Sequence, residues 1–178
     1  EFLSRAYVAE GKIVPDEDLR LLAMHEASDF SGFAALNIER NFFSFIQNSE
    51  YLFRFFEELS SEQVSLTTLQ SVDVYGEYEE HIAILKRLRE RYGEICKREG
   101  WADRIYNSEH TTIQRDFLRN YESITIVVEG YLSRYEIILL QECAKHLELI
   151  LHYNTTAYNR KTTSRLEEMG FELAEGTE

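Results

Sequence analysis

Proline and cysteine are scarce in this sequence, which has one proline and two cysteines in 178 residues. Because proline is so rare and hydrophobic residues make up 44 % of the chain, disorder is excluded over most of its length and a packed core is expected. Cys96 and Cys143 lie in helix-like segments without a CxxC partner, so we expect reduced thiols and no disulfide framework. Such cysteine usage is typical of a cytoplasmic protein.

Long apolar runs are also missing. No run approaches the ~20 residues that a membrane-spanning helix needs, and the sequence shows no signal peptide. We therefore expect no membrane partner. The chain opens with "EFLSRAY", without a methionine, and stops at "ELAEGTE", so we expect a piece of a larger protein.

Positive charge is in short supply, because 19 Lys and Arg residues face 32 Asp and Glu residues, for a net charge of −13. Most of such a surface repels a polyanion, so any contact with nucleic acid must be local. The same charge is the strongest argument from composition for a protein that binds other proteins instead.

The sequence lacks the common catalytic and metal-binding motifs. None of its eight glycines fits the phosphate loop G-x-x-x-x-G-K-[ST], and no G-x-S-x-G nucleophile turn is present. The five histidines form no H-x-x-x-H pair, and no cysteine stands at metal-ligand spacing. A PD-(D/E)-x-K nuclease centre needs E-x-K, whereas "ECAKH" has one residue too many. We expect no catalytic residue, no metal and no cofactor.

Apolar periodicity predicts helices over most of the first two thirds of the chain. Pro15 and the acids after it mark a helix start, followed by Leu19, Leu22, Ala23 and Glu26 at helical spacing. In the aromatic-rich segment that follows, Asn48-Ser49 predicts a break into two helices, with Ser49 as the N-cap of the second. We expect the phenylalanines between 42 and 56 to be mostly buried. Several exposed together would mark either a partner site or a surface that the rest of a larger protein covers.

The longest predicted helix covers residues 77–99 and ends at Gly100. Its apolar stripe consists of Tyr78, Ile82, Leu85, Leu88, Tyr92 and Ile95. A further helix is expected near 111–121.

The last third of the chain predicts a β-α-β unit. Two β-branched or apolar runs, 124–129 and 148–153, flank a helical segment at 134–147, and a last helix is expected near 162–169. Strands joined by a crossover helix are parallel neighbours. The fold class is therefore mainly α with a small α/β part. The expected domains are an N-terminal arm (1–14), a helical subdomain (15–121) and a β-α-β-α unit (122–178).

Cations outnumber acids in two short stretches. "KRLRER" places Lys86, Arg87, Arg89 and Arg91 on the polar faces of the long helix, where i,i+4 ion pairs are the ordinary role and phosphate contact is the alternative. "YNRK" carries Arg160 and Lys161 in a polar segment after the second strand. Loops at the carboxyl ends of parallel strands bind ligands in α/β folds, although such a Thr/Asn-rich segment is first of all a helix-capping turn.

The order of these pieces resembles a known family. "EFLSRAY", "KIVPDEDLRLLAMHEA", "FFSFIQNSEYLFRFFEEL", "DVYGEYEEHIAILKRLRERY", "WADRIY" and "SITIVVEGYLSRYEIILLQECAKHLELILHY" are similar to the N-terminal helicase-like region of AddB-type (RecB-like) subunits. These subunits are the partners of AddA-type helicase subunits in bacterial helicase-nucleases that process DNA breaks. The resemblance implies part of the first core domain of a superfamily-one helicase, with residues 15–121 as its helical insertion.

The resemblance also gives a meaning to the end of the first strand. Strand 124–129 is then the Walker B strand, which in an active motor ends in Asp-Glu and holds magnesium. Here the pair is Glu129-Gly130, which implies a degenerate site that does not hydrolyse ATP. From the residues alone, Glu129 simply ends a strand. The family's phosphate loop falls before residue 1 and its nuclease domain after residue 178, so the resemblance implies neither activity in this chain.

Two functions from different classes remain open. The first is a non-catalytic scaffold of a DNA-repair helicase-nuclease, which contacts DNA through the parent protein or contacts the AddA-type subunit. The second is an acidic helical protein-interaction module without a nucleic-acid role.

Overall fold

A computed structural model of the chain describes residues 2–9, 11–70, 78–128, 130–154 and 160–172. The described part is mainly helical with a small sheet component, which confirms the predicted fold class. Its helices are α1 Phe2–Ala6, α2 Glu17–Ala27, α3 Phe42–Ser61, α4 Leu66–Gln70, α5 Glu79–Glu99, α6 Asn107–His110, α7 Arg115–Leu118, α8 Arg134–Ala144 and α9 Arg160–Glu168. Its strands are β1 Tyr7–Val8, β2 Thr112–Ile113, β3 Ser123–Val128 and β4 Glu148–Tyr153.

The chain divides into two compact units, one formed by Ala9–Thr112 and the other by Glu1–Val8 together with Ile113–Glu178. These boundaries differ from those expected at 14/15 and 121/122. The start of the chain groups with the second unit because Gln114 N donates a hydrogen bond to Ala6 O at 2.7 Å. In the same unit Tyr7 Oη donates to Leu139 O at 2.6 Å.

Helix α2 begins where the sequence predicts, because the Asp16 side chain accepts a hydrogen bond from Leu19 N at 2.8 Å. Of the residues noted at helical spacing, Ala23 is buried, whereas Leu19 and Leu22 are 41 % and 53 % exposed. The buried residues of this helix are Arg20, Ala23, Met24 and Ala27.

Helix α3 is continuous from Phe42 to Ser61, so the predicted break at Asn48-Ser49 is wrong. Asn48 Nδ2 donates to Ser44 O at 2.8 Å, and Ser49 Oγ donates to Ile46 O at 3.0 Å. Both polar side chains thus bond back to the preceding turn, which lets them stay inside a helix instead of starting a new one.

The phenylalanines of α3 fall into three groups. Phe45 and Phe56 are fully buried, while Phe53 and Phe55 are half-buried against the same core. Phe42 and Phe43 are exposed. The expected burial therefore holds from Phe45 onward and fails for the first two residues of the helix.

Helix α5 follows its predicted stripe, with Ile82, Leu88, Tyr92 and Ile95 buried, although Tyr78 before it is exposed. The helix ends at Gly100, whose φ of 68° is the left-handed conformation that glycine adopts without strain.

The second unit contains the predicted parallel pair of strands. β3 and β4 pair in parallel, with Ser123 opposite Glu148 and Val128 opposite Tyr153. Glu129, predicted as the end of β3, lies outside the described residues. Helix α8 ends earlier than the predicted 147, and the helix expected over 111–121 is reduced to the four residues of α7. The core of this unit consists of Ala6, Tyr7, Leu118, Leu139, Cys143 and Leu147.

Within the part of the chain that the structure describes, no helix is both long enough and apolar enough to cross a membrane.

Candidate functional site

The segment after β3 is where the resemblance places a degenerate magnesium site. Of the two residues concerned, only Gly130 is described, and it is exposed. A Cβ added at Gly130 has no heavy atom within 4 Å, so no close approach of a neighbouring group requires glycine here. The structure does not describe Glu129, and the metal-acid interpretation of that residue stays a prediction.

The N-terminus of α8, which follows this segment, is capped from within the chain. Ser133 N donates to Glu136 Oε2 at 2.8 Å, and Glu136 N donates to Ser133 Oγ at 3.3 Å. This reciprocal capping box puts a carboxylate at the end of the helix where an anion would otherwise be favoured. A bound phosphate at this position would meet the negative charge of Glu136.

Arg165 of α9 connects to the residues that follow β3. Its guanidinium donates to Tyr131 Oη and to Leu132 O, the latter at 3.4 Å, and its Cζ lies 5.1 Å from the centroid of the Tyr131 ring. This arginine therefore has a structural role in holding α9 to the β3–α8 connection.

The two candidate cations of the "YNRK" stretch, Arg160 and Lys161, are the first residues of α9 and are exposed. Residues 155–159 before them lie outside the described residues. Positive charge at a helix N-terminus opposes the helix dipole, so these two cations do not stabilise α9 where they stand.

The structure does not gather the "KRLRER" cations into one patch. Arg87 lies with its Cζ 4.7 Å from the centroid of the Phe30 ring, and Arg91 Nε donates to Ala27 O at 2.8 Å on the same side of α5. Arg89 packs on another side of α5, where its Cζ lies 4.7 Å from the centroid of the Tyr106 ring. Lys86 is exposed. The three arginines thus all contact groups of their own unit.

A buried polar cluster that the sequence analysis missed lies in the helical unit. Arg20 Nε donates to Asp103 Oδ2 at 2.6 Å, and both side chains are almost completely buried, at 3 % and 0 % exposure. Asp103 also accepts from Tyr92 Oη at 2.8 Å and from Ile105 N at 2.9 Å. Arg20 donates further to Glu57 Oε1 at 2.5 Å.

The ring of Phe53 and two more charged residues complete this cluster. The Phe53 ring centroid lies 4.4 Å from Arg20 Cζ, and Glu17 accepts from Arg20 at 3.0 Å and from Arg104. Every buried side-chain nitrogen and oxygen atom in the described residues has a hydrogen-bond partner. The cluster is therefore a satisfied structural network that joins α2, α3, α5 and the segment after α5.

The pKa shifts in this cluster follow from its burial. Burial alone would lower the pKa of Arg20, but the hydrogen bonds and negative charges of Asp103 and Glu57 raise it above its ordinary value. Burial, with the charge of Asp103, raises the pKa of Tyr92 and raises that of Cys96 to about 12. These groups keep one protonation state at neutral pH, which suits a structural role and not acid–base catalysis.

The second feature that the sequence analysis missed is an exposed apolar surface on α2 and α3. The His25 ring centroid lies 5.7 Å from that of Phe42 and 5.0 Å from that of Phe45, so the end of α2 lies beside the start of α3. Phe43 follows at 6.4 Å from Phe42. We call this region the α2–α3 surface; its residues are Leu22, His25, Phe42, Phe43 and Ile46.

One signal in the sequence could have revealed the α2–α3 surface. Adjacent residues of a helix point about 100° apart, so Phe42 and Phe43 cannot both face the core that Phe45 and Phe56 occupy. When two adjacent residues at a helix start are both aromatic, at least one ring must turn away from the buried stripe, so such a pair predicts an exposed ring.

No candidate site in the described residues has the composition of a metal centre, since no group of three or more His, Cys, Asp and Glu side chains comes together there. The described residues thus contain a satisfied buried network, dispersed cations and an exposed apolar surface.

The chain matches no protein-family model, no curated protein and no solved structure.

Proposed function

We propose that this chain is a non-catalytic, helicase-like scaffold of a bacterial DNA-break-repair helicase-nuclease, and that it contacts a partner subunit there. The observation that carries the proposal is the exposure of Phe42, Phe43 and Ile46 on α3, and of Leu22 on the neighbouring helix α2. Exposed apolar clusters of this kind mark protein–protein contact sites. The resemblance to AddB-type subunits supplies the class of assembly, in which the partner is an AddA-type helicase subunit.

The absence of catalysis in the proposal rests on the sequence. The chain has no phosphate loop, and Glu129-Gly130 offers one acid where an active motor has two. The protonation states held by burial at Tyr92 and Cys96 add no acid or base near neutral pH.

In this proposal the chain contacts mainly the partner subunit, and DNA only through a few residues. Arg87, Arg89 and Arg91 already contact aromatic rings or carbonyl oxygens of their own unit. Contact with DNA in the parent protein would then depend on Lys86, Arg160 and Lys161, which are exposed.

A cytoplasmic location is part of the same proposal. Cys96 and Cys143 are buried free thiols, as in proteins of a reducing compartment.

A second candidate is an acidic helical protein-interaction module with no role in DNA processing. The net charge of −13 favours it, together with the involvement of the three arginines of α5 in intramolecular contacts. The two candidates share a protein partner and differ in whether that partner belongs to a helicase-nuclease.

Size-exclusion chromatography with an AddA-type helicase subunit of the same organism tests the proposal. Co-elution of the two proteins at physiological salt supports a scaffold in the helicase-nuclease. Separate elution, with no effect of the chain on the partner's DNA-stimulated ATPase, contradicts it and leaves the interaction module as the better interpretation.

A further inference from the structure

We infer that the α2–α3 surface is a docking site for a basic amphipathic helix of another polypeptide. The inference rests on the proposed function and deepens it, because it names the surface that holds the partner and the chemistry of the segment that binds. It is carried by the exposure, the arrangement and the charge of the residues on two neighbouring helices.

The surface exposes several large apolar side chains. Phe43 is 81 % exposed, Leu22 53 %, Phe42 41 % and Ile46 40 %. Burying large apolar side chains gains about 1.5–3 kcal/mol each relative to leaving them in water. Aromatic residues grouped in this way are the usual anchors of protein interfaces.

The arrangement fits a helix as the bound segment. The contacts of His25 with Phe42 and of Arg20 with Phe53 show that α2 and α3 run antiparallel side by side. Phe42 and Ile46 are one turn apart on α3, and the His25 ring of α2 contacts Phe42. Apolar side chains exposed on two adjacent helices can receive the apolar face of a third helix.

The surface is held in place from beneath, so binding does not require it to become ordered. Phe45, between Phe42 and Ile46, is fully buried. The His25 ring donates through Nε2 to Arg40 O at 2.8 Å, and the Asn41 side chain caps α3 by accepting from Ser44 N at 3.0 Å. A preorganised surface loses little conformational entropy when a partner binds.

The charge around the surface selects a basic partner. Asp18 precedes Leu22 by one turn of α2, Glu50 follows Ile46 by one turn of α3, and both are exposed. A second copy of this chain would bring the same acids and a further net charge of −13, so like charges would oppose self-association. Lysine or arginine at the edges of an amphipathic helix would instead face Asp18 and Glu50.

The test uses a synthetic probe, because the natural partner is unidentified. The probe is a fluorescent peptide of about 20 residues, long enough to form a helix, with leucine on one face and lysine on the other. Two control peptides have the same leucine face with glutamate in place of lysine, and the same composition in a scrambled order. Fluorescence anisotropy with the whole chain measures each affinity.

Two variants and a matched control locate the binding site. We expect Phe43→Ser and Ile46→Ser each to weaken binding of the basic peptide about tenfold, as the removal of an interface anchor does. Tyr121→Ser is the control, since Tyr121 is 42 % exposed and lies on neither α2 nor α3. It should leave the affinity unchanged. Circular dichroism verifies that all three variants keep the helical content of the unsubstituted chain.

The acidic edge is tested separately by Glu50→Gln. We expect a several-fold weaker affinity for the basic peptide and a smaller dependence of that affinity on salt, because one charge pair is removed. Equal binding of the lysine and glutamate peptides would contradict the assigned charge of the partner.

Four outcomes overturn the inference. Three concern the peptides: undiminished binding by Phe43→Ser and Ile46→Ser, equal binding of the scrambled peptide, and equal binding of the lysine and glutamate peptides. The fourth is self-association of the chain that Phe43→Ser abolishes, which would make a second copy the occupant. Failure of the proposed function is distinguishable. If the AddA-type subunit co-elutes equally with the unsubstituted chain and with Phe43→Ser, the assigned docking site is wrong, but the proposed scaffold function stands. If no subunit co-elutes, the peptide titration still decides the docking site.

Discussion

Arg20 and Asp103 form a buried ion pair although 83 residues separate them in the sequence, with Arg20 Nε 2.6 Å from Asp103 Oδ2. The pair connects α2 to the segment that follows α5. Since Tyr92 and Ile105 also donate to Asp103, three residues supply hydrogen bonds to one carboxylate. Arg20 thus lies on the buried side of α2 with Ala23, Met24 and Ala27, whereas Leu19 and Leu22 are exposed.

The first prediction concerns the removal of that carboxylate. Asp103→Ala leaves the guanidinium of Arg20 buried with Glu57 as its main remaining partner, and we expect the free energy of unfolding to fall by about 3–5 kcal/mol. Urea denaturation followed by circular dichroism measures the change. The matched control is Glu58→Ala, which removes the exposed partner of Arg54 and should cost no more than about 0.5 kcal/mol. Equal effects of the two substitutions would contradict the structural role of the buried pair.

The second prediction concerns alkaline pH. Burial raises the pKa of Cys96 from its ordinary 9.0 to about 12 and raises the pKa of Tyr92 above 10.0. Both side chains are neutral when protonated, so the folded state holds these protons more tightly than the unfolded chain. Their contribution to stability is complete below about pH 9 and is lost as pH rises toward 12. Urea midpoints measured from pH 7 to 11 should therefore fall above pH 9.

A matched pair of variants assigns this decline to Cys96. Cys96→Ala should make the decline above pH 9 shallower, because one titrating group is gone. Ile82→Val is a control that costs about 0.5–1.5 kcal/mol without removing a titrating group, so it should lower the whole profile by a constant amount. If the urea midpoints of the unsubstituted chain and of Cys96→Ala fall in parallel with pH, the thiol is excluded as a source of the pH dependence.

The third prediction concerns thiol reactivity. Cys96 and Cys143 are buried, and burial raises the pKa of both thiols, so the reactive thiolate is scarce and shielded. We expect an aromatic disulfide reagent at pH 8 to label neither cysteine in the folded protein and both in guanidinium chloride. Rapid labelling of one thiol under native conditions would show local opening of its unit.

The fourth prediction concerns the end of α5. Gly100 has a φ of 68°, and a Cβ there would touch no atom within 4 Å, so any cost of Gly100→Ala comes from the backbone alone. We expect stability to fall by about 1–2 kcal/mol, because a residue with a Cβ is strained in this conformation. Gly130→Ala serves as the control, since that position is equally open but does not have a positive φ. A cost at both positions would refute the backbone explanation.

The fifth prediction separates the two groups of cations. Arg87→Glu with Arg91→Glu should lower stability, because these side chains pack on Phe30 and bond Ala27 O. Arg160→Glu with Lys161→Glu replaces exposed cations at the start of α9 by acids, which the helix dipole favours there, and should leave the fold intact.

The effect of the second pair of substitutions on DNA binding, which belongs to the proposed function, is measured separately. If Arg160 and Lys161 bind phosphates, their replacement should reduce the slope of log affinity against log salt by about one unit for each phosphate that is no longer neutralised. A titration of tailed duplex DNA at several salt concentrations gives this slope. An unchanged slope would remove these two residues from any DNA-binding role.

Local chemistry in the sequence was enough to determine several elements. Asp16 caps α2 and Gly100 ends α5 because side-chain capping and a left-handed glycine act within one helical turn. The parallel pairing of β3 with β4 was also predictable, since a helix between two strands permits a crossover and excludes a hairpin. Nothing in these cases depends on a residue far away in the chain.

Tertiary structure decided the features on which the proposed function depends. The inward side of α2 could not be predicted, because the partners that bury Arg20 lie 37 and 83 residues away, at Glu57 and Asp103. The pattern of arginines on α5 was compatible with a phosphate site, but in the folded chain Phe30 and Tyr106 lie against them. The exposure of Phe43 follows from the register in which α3 packs. Burial of a charge, or exposure of a ring, depends on groups that only folding brings within a few ångströms, so periodicity along the chain cannot determine either.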